Sequence, residues 1–365
     1  MFTNARLIAV GLDTVALIED HFIKERHLPT YPVDWLRKEY INEGKLGAKS
    51  ENGGFYSPSP LSSRPEGPKI LALDIGLSAS APSHTGGRVL ELSADGAVSR
   101  VILDGQCMPD GIDVDATGGR FYFTCMGIPG KQDGAVYSAK LDGSDIQSIV
   151  APGTINTPKQ LVVEPESKKL YFCDREGLSV MRCNYDGSEL ETLISTGASG
   201  LEDQSKWCVG ICVAPTLGKF YWTQKGPSKS GRGRIFCANI TTPSGQTATT
   251  RTDICCLISD LPEPIDLELE PKSKTLYWTD RGELPFGNSL NSIKLDGLGY
   301  VADFSAKKIL TKGFHEAIGL KLDASHRHIY VTDLGGSIYR MDMDGSNRTR
   351  IFEDDAVALT GITLM

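Results

Sequence analysis

The sequence lacks the features of a membrane-spanning or exported chain. It contains no window of about 18 apolar residues. Its first ten residues give only a short apolar run, without the charged, apolar and cleavage regions of a secretory signal. The chain also lacks an excess of positive charge: it has 38 Lys and Arg residues against 46 Asp and Glu residues, which gives a net charge of −8. Nucleic acids and anionic membranes bind basic surfaces, so we expect neither as the main partner, and no membrane span.

The cysteines lack the spacing of a metal-binding or redox motif. There are nine of them, an odd number, and no Cys-x-x-Cys pair occurs. Several fall in or beside predicted strands, where a reduced thiol packs as a small core residue. These are Cys125, Cys173, Cys183, Cys208, Cys212 and Cys237. We therefore expect reduced, structural cysteines in a cytoplasmic protein.

A short motif recurs along the chain at nearly constant spacing. Its best copy is Leu-Tyr-Trp-Thr-Asp at residues 276–280, and blurred copies begin at Tyr122, Tyr171, Tyr221 and Tyr330. Successive tyrosines of the five copies lie 49, 50, 56 and 53 residues apart. A period of about 50 residues, in units rich in alternating β-forming residues, is typical of the blades of a β-propeller.

Each repeat is predicted to hold four strands, the first of them near residues 111, 160, 210, 265 and 318. Both ends of the chain hold a fragment. Residues 70–74, 88–92 and 98–102 lack a first strand, whereas residues 361–364 form a first strand without the rest. Joining the fragments completes a sixth blade and removes the open edges of a linear array. We predict an all-β fold, a six-bladed β-propeller over residues 69–365, closed by N- and C-terminal strands in one blade.

Residues 1–57 are predicted to form a short helical extension. Apolar residues recur at three- and four-residue steps from Gly11 to Tyr40, with Pro29 and Pro32 between two helical patterns. A linker rich in Ser, Pro and Gly follows at residues 58–68.

Parts of the extension resemble the C-terminal end of the 3-hydroxyacyl-CoA dehydrogenase family. The resemblance rests on Gly-Leu-Asp-Thr-Val at 11–15, Gly-Lys-Leu-Gly-Ala-Lys-Ser at 44–50 and Gly-Gly-Phe-Tyr at 53–56. It covers only about residues 10–57, and the family's glycine-rich strand-to-helix turn and catalytic histidine segment are absent from the sequence. We therefore do not expect hydride transfer, and we interpret the extension as a remnant or an added helical pair that docks on the propeller.

Residues 69–365 resemble the YWTD propellers known from lipoprotein receptors, with Tyr-Trp-Thr-Asp at 277–280 as the best match. The resemblance implies architecture rather than activity. It implies that the aromatic rings fill the gaps between blades, while Thr and Asp hydrogen-bond local backbone. Receptor propellers are usually flanked by disulfide-rich modules, and this sequence contains none.

Candidate functional residues lie in loops that meet at one end of the central channel. The loops that lead into the first strands carry Asp110, Lys159, Trp207, Glu263, His315, Glu316 and Thr360. The loops between second and third strands add His84, Lys131, Arg175, Lys225, Lys229, Arg232, Arg234, Arg281 and Phe286. The charge is mixed, with a cationic cluster in residues 224–234.

Three functions fit these residues. An enzyme site could bind a small anionic or polar-aromatic molecule through Lys and Arg, with Trp207 and Phe286 as its apolar wall. A ring of Asp110, Glu263 and Glu316 could hold a divalent cation, as in lactonase-type hydrolase propellers, although Lys159 among these carboxylates disfavours a cation. A protein-binding platform would need exposed apolar patches.

A cytoplasmic six-bladed propeller of this size, with a dehydrogenase-like leader and no partner modules, resembles the fungal hetero-Diels–Alderases of tropolone sesquiterpenoid biosynthesis. The resemblance implies a pericyclase of secondary metabolism without cofactor or metal. It would couple a tropolone quinone methide, a polar aromatic substrate, to a humulene-type terpene. No motif transfers residue roles, so roles are assigned by chemistry. Catalytic roles are expected for His315, Glu316 and Lys159, and substrate binding for Trp207, Arg175, Lys225, Arg281, Phe286, Asp110 and Glu263.

Overall fold

The structure is a computed structural model that describes residues 11–46, 67–77, 84–197 and 203–365. The chain divides into two compact units, residues 1–66 and 67–365. Most of the predicted linker, 58–66, lies outside the described residues, as do segments 47–50 and 53–56 of the dehydrogenase-like resemblance.

Two helices make up most of the described part of the first unit. They are α1 Leu12–Arg26 and α2 Tyr31–Glu39, followed by a short 3-10 turn, Ile41–Glu43. Pro32 lies in the first turn of α2, where a missing N–H leaves no helical hydrogen bond unmade. Leu12 and Ala16 of α1 share a small core with Val33 and Leu36 of α2. The predicted helical N-terminal segment is therefore confirmed.

The second unit consists of six four-stranded antiparallel sheets, blades 1–6. Blade 1 contains β1 Ile70–Asp74, β2 Gly87–Leu92, β3 Val98–Gln106 and β24 Leu359–Leu364. Blade 2 contains β4 Pro109–Asp115, β5 Arg120–Cys125, β6 Gly134–Lys140 and β7 Gln147–Ile155. Blade 3 contains β8 Pro158–Glu164, β9 Lys169–Asp174, β10 Ser179–Asn184 and β11 Glu191–Ser195. Blade 4 contains β12 Cys208–Ala214, β13 Lys219–Gln224, β14 Gly233–Asn239 and β15 Cys255–Leu261. Blade 5 contains β16 Pro264–Glu270, β17 Thr275–Asp280, β18 Ser289–Lys294 and β19 Lys308–Lys312. Blade 6 contains β20 Ala317–Asp323, β21 His328–Asp333, β22 Ser337–Asp342 and β23 Thr349–Glu353.

The two ends of the propeller sequence meet in blade 1. Strand β24 pairs with β1 in antiparallel register, with Ile70 opposite Leu364 and Ala72 opposite Ile362. The inner strands β4, β8, β12, β16, β20 and β24 then contact one another in a closed circle. The predicted six-bladed propeller, closed by strands from both ends of the chain, is confirmed.

The repeated aromatic pair fills the interfaces between blades, as predicted. Adjacent residues of a strand point to opposite faces, so the motif tyrosine faces the next blade while the following aromatic residue faces the previous one. Tyr221 of blade 4 and Trp278 of blade 5 share one core cluster. The Tyr221 hydroxyl also donates to the Gly299 carbonyl of blade 5, at 3.0 Å. Blades 2 and 3, 3 and 4, and 4 and 5 therefore meet through one motif ring from each side. At the other three interfaces one ring packs against an aliphatic residue: Tyr277 against Val331, Tyr330 against Ala72 and Phe123 against Leu71.

The motif threonine does more than the predicted local bonding. Thr279 accepts a hydrogen bond from the Asp266 N–H of its own blade, at 3.1 Å, and donates to the Ile318 carbonyl of the next blade, at 2.7 Å. The same bridge joins Thr124 to Lys159, Thr223 to Ile265 and Thr332 to Thr360. In blade 3, the thiol of Cys173 takes this place and donates to the Gly210 carbonyl. The threonine therefore ties neighbouring inner strands together.

In the part of the chain that the structure describes, no helix combines the length and apolar character needed to cross a membrane.

Removing residues 361–365 should abolish soluble folding. The deletion takes most of β24 and exposes the ladder edge of β1, which is otherwise fully paired. We expect no cooperative thermal transition by circular dichroism. Deleting Met365 alone, which follows β24, removes one hydrogen bond to the Lys69 carbonyl and should leave a folded protein. An unchanged melting curve for the longer deletion would contradict closure through this strand.

Candidate functional site

Two rings of equivalent residues surround one end of the axis, and together they define the mouth. The lower ring is the second residue of each inner strand. In blade order from 1 to 6 it contains Thr360, Asp110, Lys159, Val209, Ile265 and Ile318. Three adjacent blades therefore supply polar side chains and the other three supply apolar ones. Val209, Ile265 and Ile318 pack together in one buried cluster.

The upper ring is the residue that follows each second strand. In the same blade order it contains Ile75, Met126, Arg175, Lys225, Arg281 and Leu334. Arg175, Lys225 and Arg281 form a cationic arc on blades 3–5, and Leu334, Ile75 and Met126 form an apolar arc on blades 6, 1 and 2. Ile75 and Met126 are buried in one cluster with Ala358, against which Leu334 packs. The mouth is thus divided into a cationic side and an apolar side.

Trp207 lies between two members of the cationic arc. The guanidinium carbon of Arg175 is 4.9 Å from the Trp207 ring centroid, and Lys225 Nζ is 5.3 Å from it. Both distances allow cation–π attraction. The indole Nε1 of Trp207 is buried and has no hydrogen-bond partner among the described residues. An oxygen acceptor that reached this nitrogen would satisfy it.

Glu263 forms ion pairs with two members of the cationic arc, Lys225 and Arg281. It is fully buried, and its Oε1 accepts from Lys225 Nζ at 2.9 Å and from an Arg281 terminal nitrogen at 2.6 Å. Burial alone would raise the pKa of Glu263, but Arg281 and Lys225 hold that pKa below its usual value. Burial lowers the pKa of Lys225 against the pull of Glu263. Arg281 Nε remains buried without an acceptor in the described part of the chain.

Lys159 and Asp110 form a second ion pair in the lower ring. Lys159 Nζ donates to the Asp110 carboxylate, which also accepts from Gln160 Nε2 at 3.0 Å. Burial lowers the pKa of Lys159 to about 8; the Asp110 carboxylate opposes this effect and Arg175 adds to it. Lys159 therefore differs from a surface lysine, whose pKa is near 10.4.

The remaining predicted site residues lie at the rim or outside the mouth. Glu316 pairs with Arg281 at 3.7 Å and with Lys229 at 3.6 Å. The side chain of His315 is exposed, and its backbone N–H donates to Asp333 at 2.9 Å. Phe286 is 61% exposed on the β17–β18 loop, so its ring is not the buried apolar wall that was predicted with Trp207. The structure thus brings together Asp110, Lys159, Arg175, Trp207, Lys225, Glu263, Arg281 and Glu316.

The apolar members of both rings were missed by the sequence reasoning, although a signal for them exists. Every lower-ring residue of blades 2–6 stands twelve positions before a motif tyrosine, as 110 stands before 122, and every upper-ring residue stands four positions after it. The site residues were predicted mainly from charged side chains in loops. The apolar residues Val209, Ile265, Ile318, Met126 and Leu334 were therefore not predicted.

The three carboxylates predicted as a metal ring each face a cation. Asp110 pairs with Lys159, Glu263 with Lys225 and Arg281, and Glu316 with Arg281 and Lys229. Across the described residues, no group of three or more His, Cys, Asp or Glu side chains is placed to hold a metal ion. A divalent cation in this mouth would have to displace an ammonium or guanidinium group from each carboxylate.

Comparison with known proteins gives the chain a family. A Cochliobolus heterostrophus protein, 3-hydroxyacyl-CoA dehydrogenase-like protein LAM1, is 49% identical over 366 residues, which cover 97% of this chain and 77% of that protein. The chain belongs to the LAM1 family. A second relative, low-density lipoprotein receptor-related protein 1 of Pyricularia oryzae, is 44% identical over 308 residues, which cover 81% of this chain and 98% of that protein. Both relatives are fungal, and no protein-family profile matches the sequence.

Solved structures support the fold of this LAM1-family chain. A chain of the nidogen/laminin complex aligns with a TM-score of 0.62 at 18% identity, over 82% of this chain and 98% of its own. TolB from Acinetobacter baumannii aligns with a TM-score of 0.56 at 12% identity, over 81% and 66%. At such low identities the likeness extends to the fold alone.

Replacing Glu263 by Gln should destabilise the protein by roughly 3–5 kcal/mol, because it leaves the Lys225 and Arg281 charges in a buried site without their carboxylate. The free energy of unfolding in urea measures this. Glu316→Gln is the matched control. Its carboxylate is 39% exposed and both of its ion pairs are long, so the expected loss is below about 1 kcal/mol. Equal losses for the two variants would contradict the central role of Glu263.

Proposed function

We propose that this LAM1-family protein is a cofactor-independent enzyme of fungal secondary metabolism that carries out a hetero-Diels–Alder coupling. Its substrates are a tropolone quinone methide and a humulene-type sesquiterpene. The observation that carries the proposal is the division of the upper ring into the cationic arc Arg175, Lys225 and Arg281 and the apolar arc Leu334, Ile75 and Met126. Such a mouth can hold an oxygen-rich ring and a hydrocarbon side by side.

The chemistry requires two steps without an external electron carrier. A hydroxymethyl tropolone first loses water: the exocyclic C–O bond breaks, the leaving hydroxyl takes a proton, and the ring hydroxyl gives one up. The resulting quinone methide then adds through its carbonyl oxygen and its methylene carbon across an alkene. One C–O and one C–C bond form, which gives a dihydropyran. Neither step changes the overall oxidation level of the substrates, so the reaction needs no redox cofactor.

The cationic arc suits the oxygen-rich partner. Arg175, beside Trp207, and Arg281 are partly exposed, and each already pairs with a carboxylate, Glu176 and Glu263 respectively. A tropolonate would accept from the remaining N–H groups of the two guanidinium groups. Trp207 offers a ring face against which a planar substrate can stack. Asp110 and Glu263 act as anchors of the cations. The cations would also stabilise the ring oxyanion that forms when the ring hydroxyl gives up its proton.

The apolar arc suits the hydrocarbon partner. Because Ile75 and Met126 are already buried, contact with a macrocyclic alkene would remove from water mainly the surface of the alkene and of half-buried Leu334. Holding two reactants in an aligned pose can supply on the order of 7 kcal/mol of barrier reduction. Glu316, with His315 next to it in sequence, lies at the rim near Arg281 and is our candidate acid for the departing water, and Lys159 below the arc is a second proton carrier. Phe286 can contribute only from the rim.

A protein-binding platform is the second candidate function. Leu284 and Phe286 are 60% and 61% exposed on the same β17–β18 loop, which gives this face an exposed apolar projection of the kind that a platform needs. A metal-dependent lactonase-type hydrolase, which the sequence placed ahead of the platform, now falls behind it, because a metal would have to displace a cation from each carboxylate described above. The name of LAM1 refers to a dehydrogenase, whereas the second unit is antiparallel β-structure rather than the parallel α/β sheet that binds dinucleotides.

The test is to incubate the full-length protein with a hydroxymethyl tropolone and humulene, with and without a chelator, and to resolve the dihydropyran products on a chiral column. We expect one stereoisomer, formed faster than in buffer and unaffected by the chelator. Arg281→Met should slow the reaction at least tenfold. Lys308→Ala, on the exposed outer strand β19, should not.

A racemic product at the uncatalysed rate would overturn the proposal. Loss of the dihydropyran with the chelator, restored by a divalent metal, would contradict a metal-free site, and chelator-sensitive hydrolysis of a lactone would favour the hydrolase instead.

A further inference from the structure

Three lysine side chains are buried near the axis, and their partners differ. Lys321 lies between Asp113 and Glu268, at 2.9 Å from each carboxylate. Lys225 donates to Glu263 and to the carbonyl of Gly226, at 2.9 and 3.2 Å. Each of these two ammonium groups therefore has two strong oxygen acceptors.

Lys159 has the weakest support of the three. Its only strong acceptor among the described residues is the Asp110 carboxylate, which it shares with Gln160, and its other contact is Met126 Sδ at 3.1 Å. Thioether sulfur is a poor acceptor for an ammonium group. The side chain is 12% exposed, so it is buried but open to the mouth.

The charges that face Lys159 come from three elements. Asp110 belongs to β4, Arg175 and the adjacent Glu176 follow β9, and Arg281 follows β17. Burial lowers the pKa of Lys159 to about 8, and Arg175 and Arg281 add to this lowering while Asp110 opposes it. Lys321 differs, because two carboxylates outweigh burial and raise its pKa. Burial also lowers the pKa of Lys225, against the pull of Glu263, but its ammonium group donates to two oxygen acceptors where Lys159 has one.

We propose that Lys159 is a nucleophilic amine that forms an imine with the carbonyl carbon of a small, largely apolar aldehyde or ketone in the mouth. Desolvation and neighbouring cations are the two devices that activate lysine for this chemistry. Met126 beside the amine and the Val209, Ile265 and Ile318 cluster across the lower ring provide apolar walls for the body of the ligand. The inference is independent of the cycloaddition proposed above.

The step balances with Asp110 as the proton carrier. The ammonium gives one proton to the Asp110 carboxylate, and the free amine attacks the carbonyl carbon to form a carbinolamine. Asp110 returns its proton to the departing hydroxyl, which leaves as water while the C=N bond forms. No oxidant, reductant or metal takes part.

The test is to incubate the full-length protein at pH 7 with benzaldehyde and sodium cyanoborohydride, which reduces an imine to a stable benzylamine, and to map the modified peptides by mass spectrometry. A pKa near 8 leaves about a tenth of Lys159 as free amine at pH 7, against roughly one part in 2,500 for a lysine near 10.4. We expect Lys159 to be labelled at least tenfold faster than exposed Lys131 and Lys308. Lys225 and Lys321 should be labelled more slowly than Lys159.

Two variants make the result decisive. Lys159→Arg should remove the fast adduct and leave labelling of the surface lysines unchanged. Asp110→Asn, if folded by circular dichroism, should move the pH midpoint of Lys159 labelling downward, because the carboxylate that opposes deprotonation is gone. If Lys159 is labelled no faster than surface lysines, or only in denaturant, it is a structural ion pair and the proposal is wrong.

Discussion

The hydroxyl group of the motif threonine links one blade to the next, and the positions of the inner strands depend on this hydrogen bond. In four of the five motif copies the threonine donates to a carbonyl of the neighbouring inner strand. The four acceptors are the backbone carbonyls of Lys159, Ile265, Ile318 and Thr360, which are themselves lower-ring residues. The motif is therefore not remote from the site, because it fixes the backbone from which mouth side chains project. Those side chains can then differ from blade to blade without loss of the bridge.

This freedom explains why a symmetric fold carries an asymmetric mouth. Each ring has one polar half and one apolar half, and the two rings are offset by two blades: the cationic arc spans blades 3–5, whereas the polar half of the lower ring spans blades 1–3. Buried charges need partners, and Glu263 and Asp110 provide them inside the ring rather than from solvent. The result is a fixed set of dipoles and charges next to dry apolar surface, which suits a reaction between unlike partners.

The sequence predicted the fold well because the period of the motif is a global signal: it set the blade number and showed that the two ends share a blade. The site was predicted in part. Arg175, Lys225 and Arg281 were named because charged loop residues are conspicuous, yet their apolar counterparts Met126 and Leu334 were not, since an isolated apolar residue looks like core. The ion pairs of the site could not be predicted from the sequence either. Nothing in the local sequence shows that Glu263 meets both Lys225 and Arg281, because that contact depends on how neighbouring blades are placed.

Calorimetric titration would show whether the cationic arc binds an organic oxyanion beside apolar surface. The full-length protein would be titrated with tropolone at a pH where tropolone is ionised, and with its methyl ether, which has the same ring without the charge. We expect at least tenfold tighter binding of the anion, about 1.4 kcal/mol, and loss of that difference in Arg281→Met. Equal affinities for the two compounds, or a difference that survives in Arg281→Met, would contradict this expectation.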